Sequence, residues 1–141
     1  MSIQAVLLPL FVQVLLTFVL LVWMAYLRTS AVTSGEVKTS DIALREPGWP
    51  SHATQVANAF HNQLEVPVLF YVLTILAWIT RHADYLFVVM AWIFVVLRLA
   101  HAYVHTSSND VRQRGGIYIA GAIVLALMWL IFMGRILLGL G

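Results

Sequence analysis

Four runs of apolar residues, each long enough to cross a lipid bilayer, constrain this chain more than anything else in it. At about 1.5 Å of rise per helical residue, some 20 residues cover a hydrocarbon core about 30 Å thick. The hydropathy pattern places spans at residues 4–27, 51–80, 84–106 and 111–138. Backbone N–H and C=O groups find no water at that depth, so a helix is the conformation that satisfies them. Composition agrees: 62% of residues are hydrophobic, 10% are charged and the mean hydropathy is +0.91, outside the range of soluble domains. The expected fold is an all-α membrane protein, a single four-transmembrane-helix bundle in a lipid bilayer. The first run is read as a span and not as a cleaved leader, because no Lys or Arg precedes it. Without cysteine there is no disulfide, thiolate metal site or cysteine nucleophile, and the few basic residues form no cluster suited to nucleic acid.

Residues 28–50 change character abruptly, to Thr, Ser, Gly and charged groups ending in Glu46-Pro47-Gly48-Trp49-Pro50, and form the one long loop. Ser51 is the expected N-cap of the second span, and Pro67 the expected kink near its middle. Arg28, Lys38, Arg45, Arg112 and Arg114 flank one side of a four-span chain, against Arg81 and Arg135 on the other. The positive-inside rule then places the loops 28–50 and 107–110 in the cytoplasm and both termini outside.

Polar residues interrupt the later spans at helical spacing. Gln55, Asn58, Asn62 and Glu65 fall at i, i+3, i+7 and i+10, and Arg98, His101 and His105 at i, i+3 and i+7. Arg114 and Tyr118 share a face of the fourth span, where Gly116 and Ala120 form a small pair suited to close packing. Such groups are expensive in lipid, so these faces either glue helices together or line a site. Glu65 and Arg98 lie at similar depth and suit a buried ion pair that sets helix register. Arg114 beside Tyr118 suits a carboxylate or a thiolate. His101 with His105, and His61 with Glu65, repeat an i, i+4 spacing that metals use, but five histidines are too few for a membrane hydroxylase, and no metal is expected.

The run Asn62-Gln63-Leu64-Glu65-Val66-Pro67-Val68-Leu69-Phe70-Tyr71, with Leu97-Arg98-Leu99-Ala100-His101 and Arg114 with Tyr118, resembles the MAPEG family, the membrane-associated proteins in eicosanoid and glutathione metabolism, and most closely its bacterial branch. The resemblance implies a homotrimer in a bacterial inner membrane, with glutathione bound between subunits near the cytoplasmic face and a lipophilic small-molecule substrate arriving through the bilayer. By that resemblance Asn62 and Glu65 contact glutathione, Arg98 pairs with the glutamate and His101 is a neighbouring polar position. Arg114 stabilises the thiolate and Tyr118 lines the same pocket. Asn58 and His61 stand where active members commonly carry bases, and His105 where several carry a tyrosine. Each charged hydrogen bond lost is worth about 1.5–3 kcal/mol. The implied activity is a glutathione-dependent membrane transferase or peroxidase acting on lipophilic electrophiles or lipid hydroperoxides; the alternative is a non-catalytic lipid-binding or accessory subunit.

Overall fold

The computed structural model describes residues 1–44 and 48–140, and among them the chain is helical with no strand. Four stretches are long and apolar enough to cross a membrane. The first is α1 (Ile3–Thr33), capped by Ser2, whose hydroxyl accepts from the Ala5 N–H at 3.2 Å. It runs past the expected end at Leu27, and in its last turn the Thr33 hydroxyl donates to the Thr29 carbonyl at 2.9 Å. At about 46 Å it exceeds the hydrocarbon thickness and carries its polar end beyond it.

The connection that follows is folded. The Val37 N–H donates to the Ala31 carbonyl at 3.2 Å, Val37 is buried, and a single 3-10 turn forms at Thr39–Asp41. A Cβ on Gly48 would lie 2.7 Å from the Asp41 carbonyl oxygen, so only glycine lets the two strands of the loop touch. Trp49 then packs under the Arg28 guanidinium, 5.0 Å from its ring centroid. The expected turn at Glu46-Pro47, and Arg45 beside it, lie outside the described residues.

The second span departs from expectation. In place of one kinked helix it holds two, α2 (Ser51–Asn62) and α3 (Val66–Ile79). Pro67 has no N–H to give and its ring clashes with a helical carbonyl four residues back, at Gln63. The chain therefore tightens, with Gln63 N to Phe60 O at 2.9 Å and Leu64 N to His61 O at 3.0 Å, and restarts with Glu65 in the N-cap position and Pro67 in the first turn of α3. Ser51 is the first helical residue of α2, and Pro50 stands in the N-cap position with no side-chain bond.

A broken helix inside a membrane must have its freed groups answered from elsewhere in the protein. Gln63, fully buried, does this: its Nε2 donates to the Ala59 carbonyl at 2.9 Å, and its Oε1 accepts from Gln13 Nε2 at 2.8 Å and from Arg98 Nη2 at 3.2 Å. Arg98 Nη2 also reaches the Asn62 carbonyl at 3.4 Å and the Asn62 side-chain oxygen. The expected Glu65–Arg98 ion pair does not form. Asn62 stands between them, taking Arg98 on its oxygen and donating from Nδ2 to Glu65 Oε1 at 3.2 Å. Among the described residues the one salt bridge joins Arg135 to Asp84 at 2.8 Å, at the other end of the bundle.

Two short turns lead to α4 (Tyr85–Thr106) and α5 (Val111–Leu137), capped by Asp84 and Asp110, whose carboxylates accept from Phe87 N and from Arg112 N and Gln113 N. The helix α4 is the centre of the bundle and packs against α1, α2 and α5. Phe70 of α3 stacks on Phe94 of α4 at 5.0 Å in the main core, and a smaller cluster of Leu20, Ala59 and Ala102 lies toward the loop end. Gly121 meets Leu97, with 3.8 Å to that side chain from a notional Cβ, whereas Gly116 meets nothing within 4 Å. The α4–α5 approach thus uses Gly121, whereas at Gly116 no such close approach is found among the described residues.

Gln63→Leu removes the acceptor shared by Gln13 and Arg98 and should lower thermal stability in lipid nanodiscs by about 1–3 kcal/mol, the penalty of a buried donor left unpaired. Asp84→Asn keeps the α4 cap and breaks only a partly exposed ion pair, so the same melting experiment should register less than about 1 kcal/mol.

Candidate functional site

The break and the two long helices beside it leave an open cleft of about 550 Å³ toward the loop end of the bundle. One wall is α2 and the break: Asn58 and Asn62, four residues apart and so on one face, with His61 between them and Glu65 beyond. The second wall is α4, with His101 and His105. The third is α5, with Arg114, Gly115, Tyr118 and Ile119. Residues separated by more than fifty positions are gathered here because α2 and α4 run antiparallel, in a register fixed by Asn62 against Arg98 at one level and Gln55 against the end of α4 at another.

Gln55 belongs to that register and not to the cleft lining. Its Nε2 donates to the His105 carbonyl at 2.8 Å and the Ser107 carbonyl at 3.1 Å, satisfying groups that the end of α4 would leave open. Arg98, also expected at the site, is 2% exposed and lies behind the wall, engaged with Asn62 and Gln63 and with its guanidinium carbon 5.9 Å from the Tyr118 ring centroid. It holds the wall in place and sets a positive charge beneath it.

The remaining expected residues reach the cleft together. Arg114 is held by Asn109, whose side-chain oxygen accepts from its Nη1; Asn109 is itself fixed by a 2.8 Å bond from its N–H to the Val104 carbonyl, in a left-handed turn that asparagine tolerates. The cation is thereby tied to the end of α4, beside His105. Tyr118 lies one helical turn deeper on α5, with its ring 5.7 Å from that of His101. His101 and His105 are 3% and 6% exposed, their rings meet edge to face at 5.4 Å, and their Nδ1 atoms are buried without a hydrogen-bond partner. Glu65 closes the inner end of the cleft as an exposed carboxylate.

The cleft thus carries a cation near the loop, a carboxylate at the inner end, and amides, imidazoles and a phenol between. It suits an elongated ligand with an anionic group at one end, a cationic or donor group at the other and peptide-like groups between. Among the described residues no three of His, Cys, Asp or Glu converge as metal ligands. Asn109 and Gly115 escaped the sequence reading. Asn109 was legible only as a turn residue; Gly115 has no side chain to attract notice, yet a Cβ there would enter open space at the cleft wall.

The family model for the MAPEG family matches residues 6–134, which takes in all four spans and every residue of the cleft. No curated protein and no solved structure shows significant similarity to the chain. With nearly its whole length matched and four membrane-spanning stretches in one helical bundle, the chain belongs to the MAPEG family as an integral membrane protein.

Proposed function

We propose that this protein is a glutathione-dependent membrane transferase or peroxidase acting on lipophilic electrophiles or lipid hydroperoxides at the cleft between α2, α4 and α5. The family includes glutathione-dependent transferases and non-catalytic members, and glutathione is its general co-substrate. The observation that carries the proposal is the ordered polarity of the cleft, with Arg114 at one end, Glu65 at the other and Asn58 and Asn62 between. Glutathione has the complementary order from its γ-glutamyl end inward: an ammonium group at the extremity, a peptide group next, and a thiol that ionises to an anion beyond it.

In this reading Glu65 takes the ammonium group, Asn58 and Asn62 bond the peptide groups, and His101 adds a polar contact. Arg114 faces the sulfur, where a guanidinium favours the thiolate over the thiol and so raises the fraction of nucleophile present. Tyr118 donates a hydrogen bond to the same sulfur. Arg98 acts from behind the wall by holding Asn62. The hydrophobic substrate enters past Ile119, which is 59% exposed at the rim of the cleft. A homotrimer, with the loops 28–50 and 107–110 in the cytoplasm, completes the proposal and would close the open side of the cleft with a neighbouring subunit.

Calorimetry of glutathione binding to the protein in lipid nanodiscs tests this. Saturable binding is expected, weakened about 10- to 100-fold by Arg114→Ala and by Glu65→Gln, the loss appropriate to one charge-assisted hydrogen bond each. Gly115→Leu fills the cleft without touching the core and should abolish binding while the melting temperature holds. Arg114→Ala should also melt within about 1 kcal/mol of the parent, because its side chain bonds only to a turn at the protein surface. No binding at millimolar glutathione would favour the second reading, a non-catalytic lipid-binding or accessory subunit. That reading is supported by the cleft lining, where the family resemblance implies that Asn58 and His61 stand in place of bases carried by active members.

A further inference from the structure

Among the described residues four adopt a left-handed backbone, and three of them are types that do so readily: Gly35 (φ +80°), Gly139 (φ +65°) and Asn109 (φ +53°). The fourth is Arg81, at +62°. It follows the end of α3 in a complete Schellman turn, with its own N–H on the Trp78 carbonyl at 3.1 Å and the His82 N–H on the Ala77 carbonyl at 2.8 Å. The turn after α5 makes the same two bonds, from Gly139 to Ile136 at 3.3 Å and from Leu140 to Arg135 at 2.9 Å, and takes glycine at that position. An arginine there crowds its Cβ against the following carbonyl oxygen and adds nothing to the turn itself. The strain points to a task for the side chain. Among the described residues the Arg81 guanidinium has no hydrogen bond or ion pair, because Asp84, the acid three residues on, is taken by Arg135 at 2.8 Å. It lines instead an open concavity of about 460 Å³ with Met1, Trp78, Ile79 and Ala83. Ile79 also ends a row of Val68, Val72, Ile75 and Ile79, which falls at i, i+4, i+7 and i+11 on one exposed face of α3. From Val68 to Ile79 the helix rises about 16 Å, the depth of one leaflet of the hydrocarbon core.

We infer that this end of α3 is a binding site for an anionic phospholipid, whose phosphate sits on the Arg81 guanidinium in the concavity and one of whose acyl chains lies along the row from Ile79 to Val68. A guanidinium presents a planar fork of donors that matches two phosphate oxygens at once, and its charge strengthens both bonds. Trp78, three residues before Arg81, carries an indole 40% exposed at the end of the span, where such rings settle at the boundary between headgroups and hydrocarbon. The charge balance selects the headgroup. With Arg135 offset by Asp84, Arg81 is left as an uncompensated cation, and a choline headgroup would bring a second cation to the same place. A glycerol headgroup leaves the whole charge of the phosphate to Arg81. The left-handed turn carries the arginine past the last helical residue, out over the headgroup level and away from the bundle core. This site is at the opposite end of the bundle from the cleft, and it stands or falls independently of the glutathione reading.

The test uses the full chain in nanodiscs of phosphatidylcholine, with and without about a third of phosphatidylglycerol. The anionic lipid should raise the melting temperature of the parent by about 3 °C. Native mass spectrometry should show the parent retaining phosphatidylglycerol about 10-fold in preference to phosphatidylcholine, the return on a charge-assisted contact. Arg81→Gly and Arg81→Asn keep the left-handed turn without its strain, so in neutral discs both should melt no lower than the parent. Both should lose the gain from anionic lipid and the preference for it. Arg112→Gln, which removes an exposed cation at the other end of the bundle, should keep both. The inference is overturned if the Arg81 variants gain as much from phosphatidylglycerol as the parent does, if Arg112→Gln loses as much as they do, or if the parent shows no preference. Arg81 variants that melt several degrees lower in neutral discs would make the arginine a structural contact and overturn it too. Glycerol 3-phosphate added to neutral discs at millimolar concentration should leave the parent's melting temperature where it was; a gain equal to that from the lipid would make this a site for a soluble phosphate and overturn the lipid assignment.

Discussion

A guanidinium buried in a membrane bundle with no carboxylate against it is the constraint on which the rest of this structure depends. Arg98 needs acceptors, and a regular helix offers none, because its carbonyls are already bonded along the axis. The break in the second span supplies them: the Asn62 carbonyl released by the break, the Asn62 side-chain oxygen and Gln63 Oε1 all turn toward Arg98. Each feature needs the other. The break would leave unanswered backbone groups in lipid without Arg98 and Gln63, and Arg98 would be an unpaired charge without the break. Gln13 extends the arrangement to α1, so one junction joins three of the four spans.

The same junction shapes the cleft. With α2 ended at Asn62, Glu65 swings out of the helical stripe and into open space, and Asn62 separates it from Arg98, so that both the carboxylate and the neighbouring amide remain available at the wall. Were Glu65 and Arg98 paired directly, the inner end of the cleft would be neutral and closed. The opposite end is set by a separate device, Asn109, which fixes Arg114 to the close of α4. The polarity of the cleft therefore comes from two local structures that do not touch each other.

Much of this was legible in the sequence and some was not, for physical reasons. The four spans follow from hydropathy, and the stripe of Arg98, His101 and His105 on the inner face of α4 follows from spacing alone, since all three are buried. Asn58 and Asn62 share a face for the same reason. A proline in a span announces a disturbance, but whether the helix bends or ends depends on what can satisfy the carbonyls it frees, and those partners sit on other helices. Gln63 falls off the polar stripe in a helical projection, which hid its part; it became central only once the helix ended beside it. Gln55 lies on the stripe yet serves the end of α4, because side-chain amides reach whatever carbonyl is nearest. Gly115 could be recognised only from space it does not fill.

The order of residues along the chain gives the Arg98 junction a meaning during synthesis. Asn62 and Gln63 are made before Arg98 and enter the bilayer with the second span, while the arginine arrives later on the third. A lone arginine near the middle of a span opposes insertion by about 2.5–3.5 kcal/mol. Its acceptors are already waiting in the membrane when it emerges, so the third span is drawn in as a partner of the second and not as an independent segment. Biogenesis of the bundle is in that sense sequential, each span prepared by the one made before it.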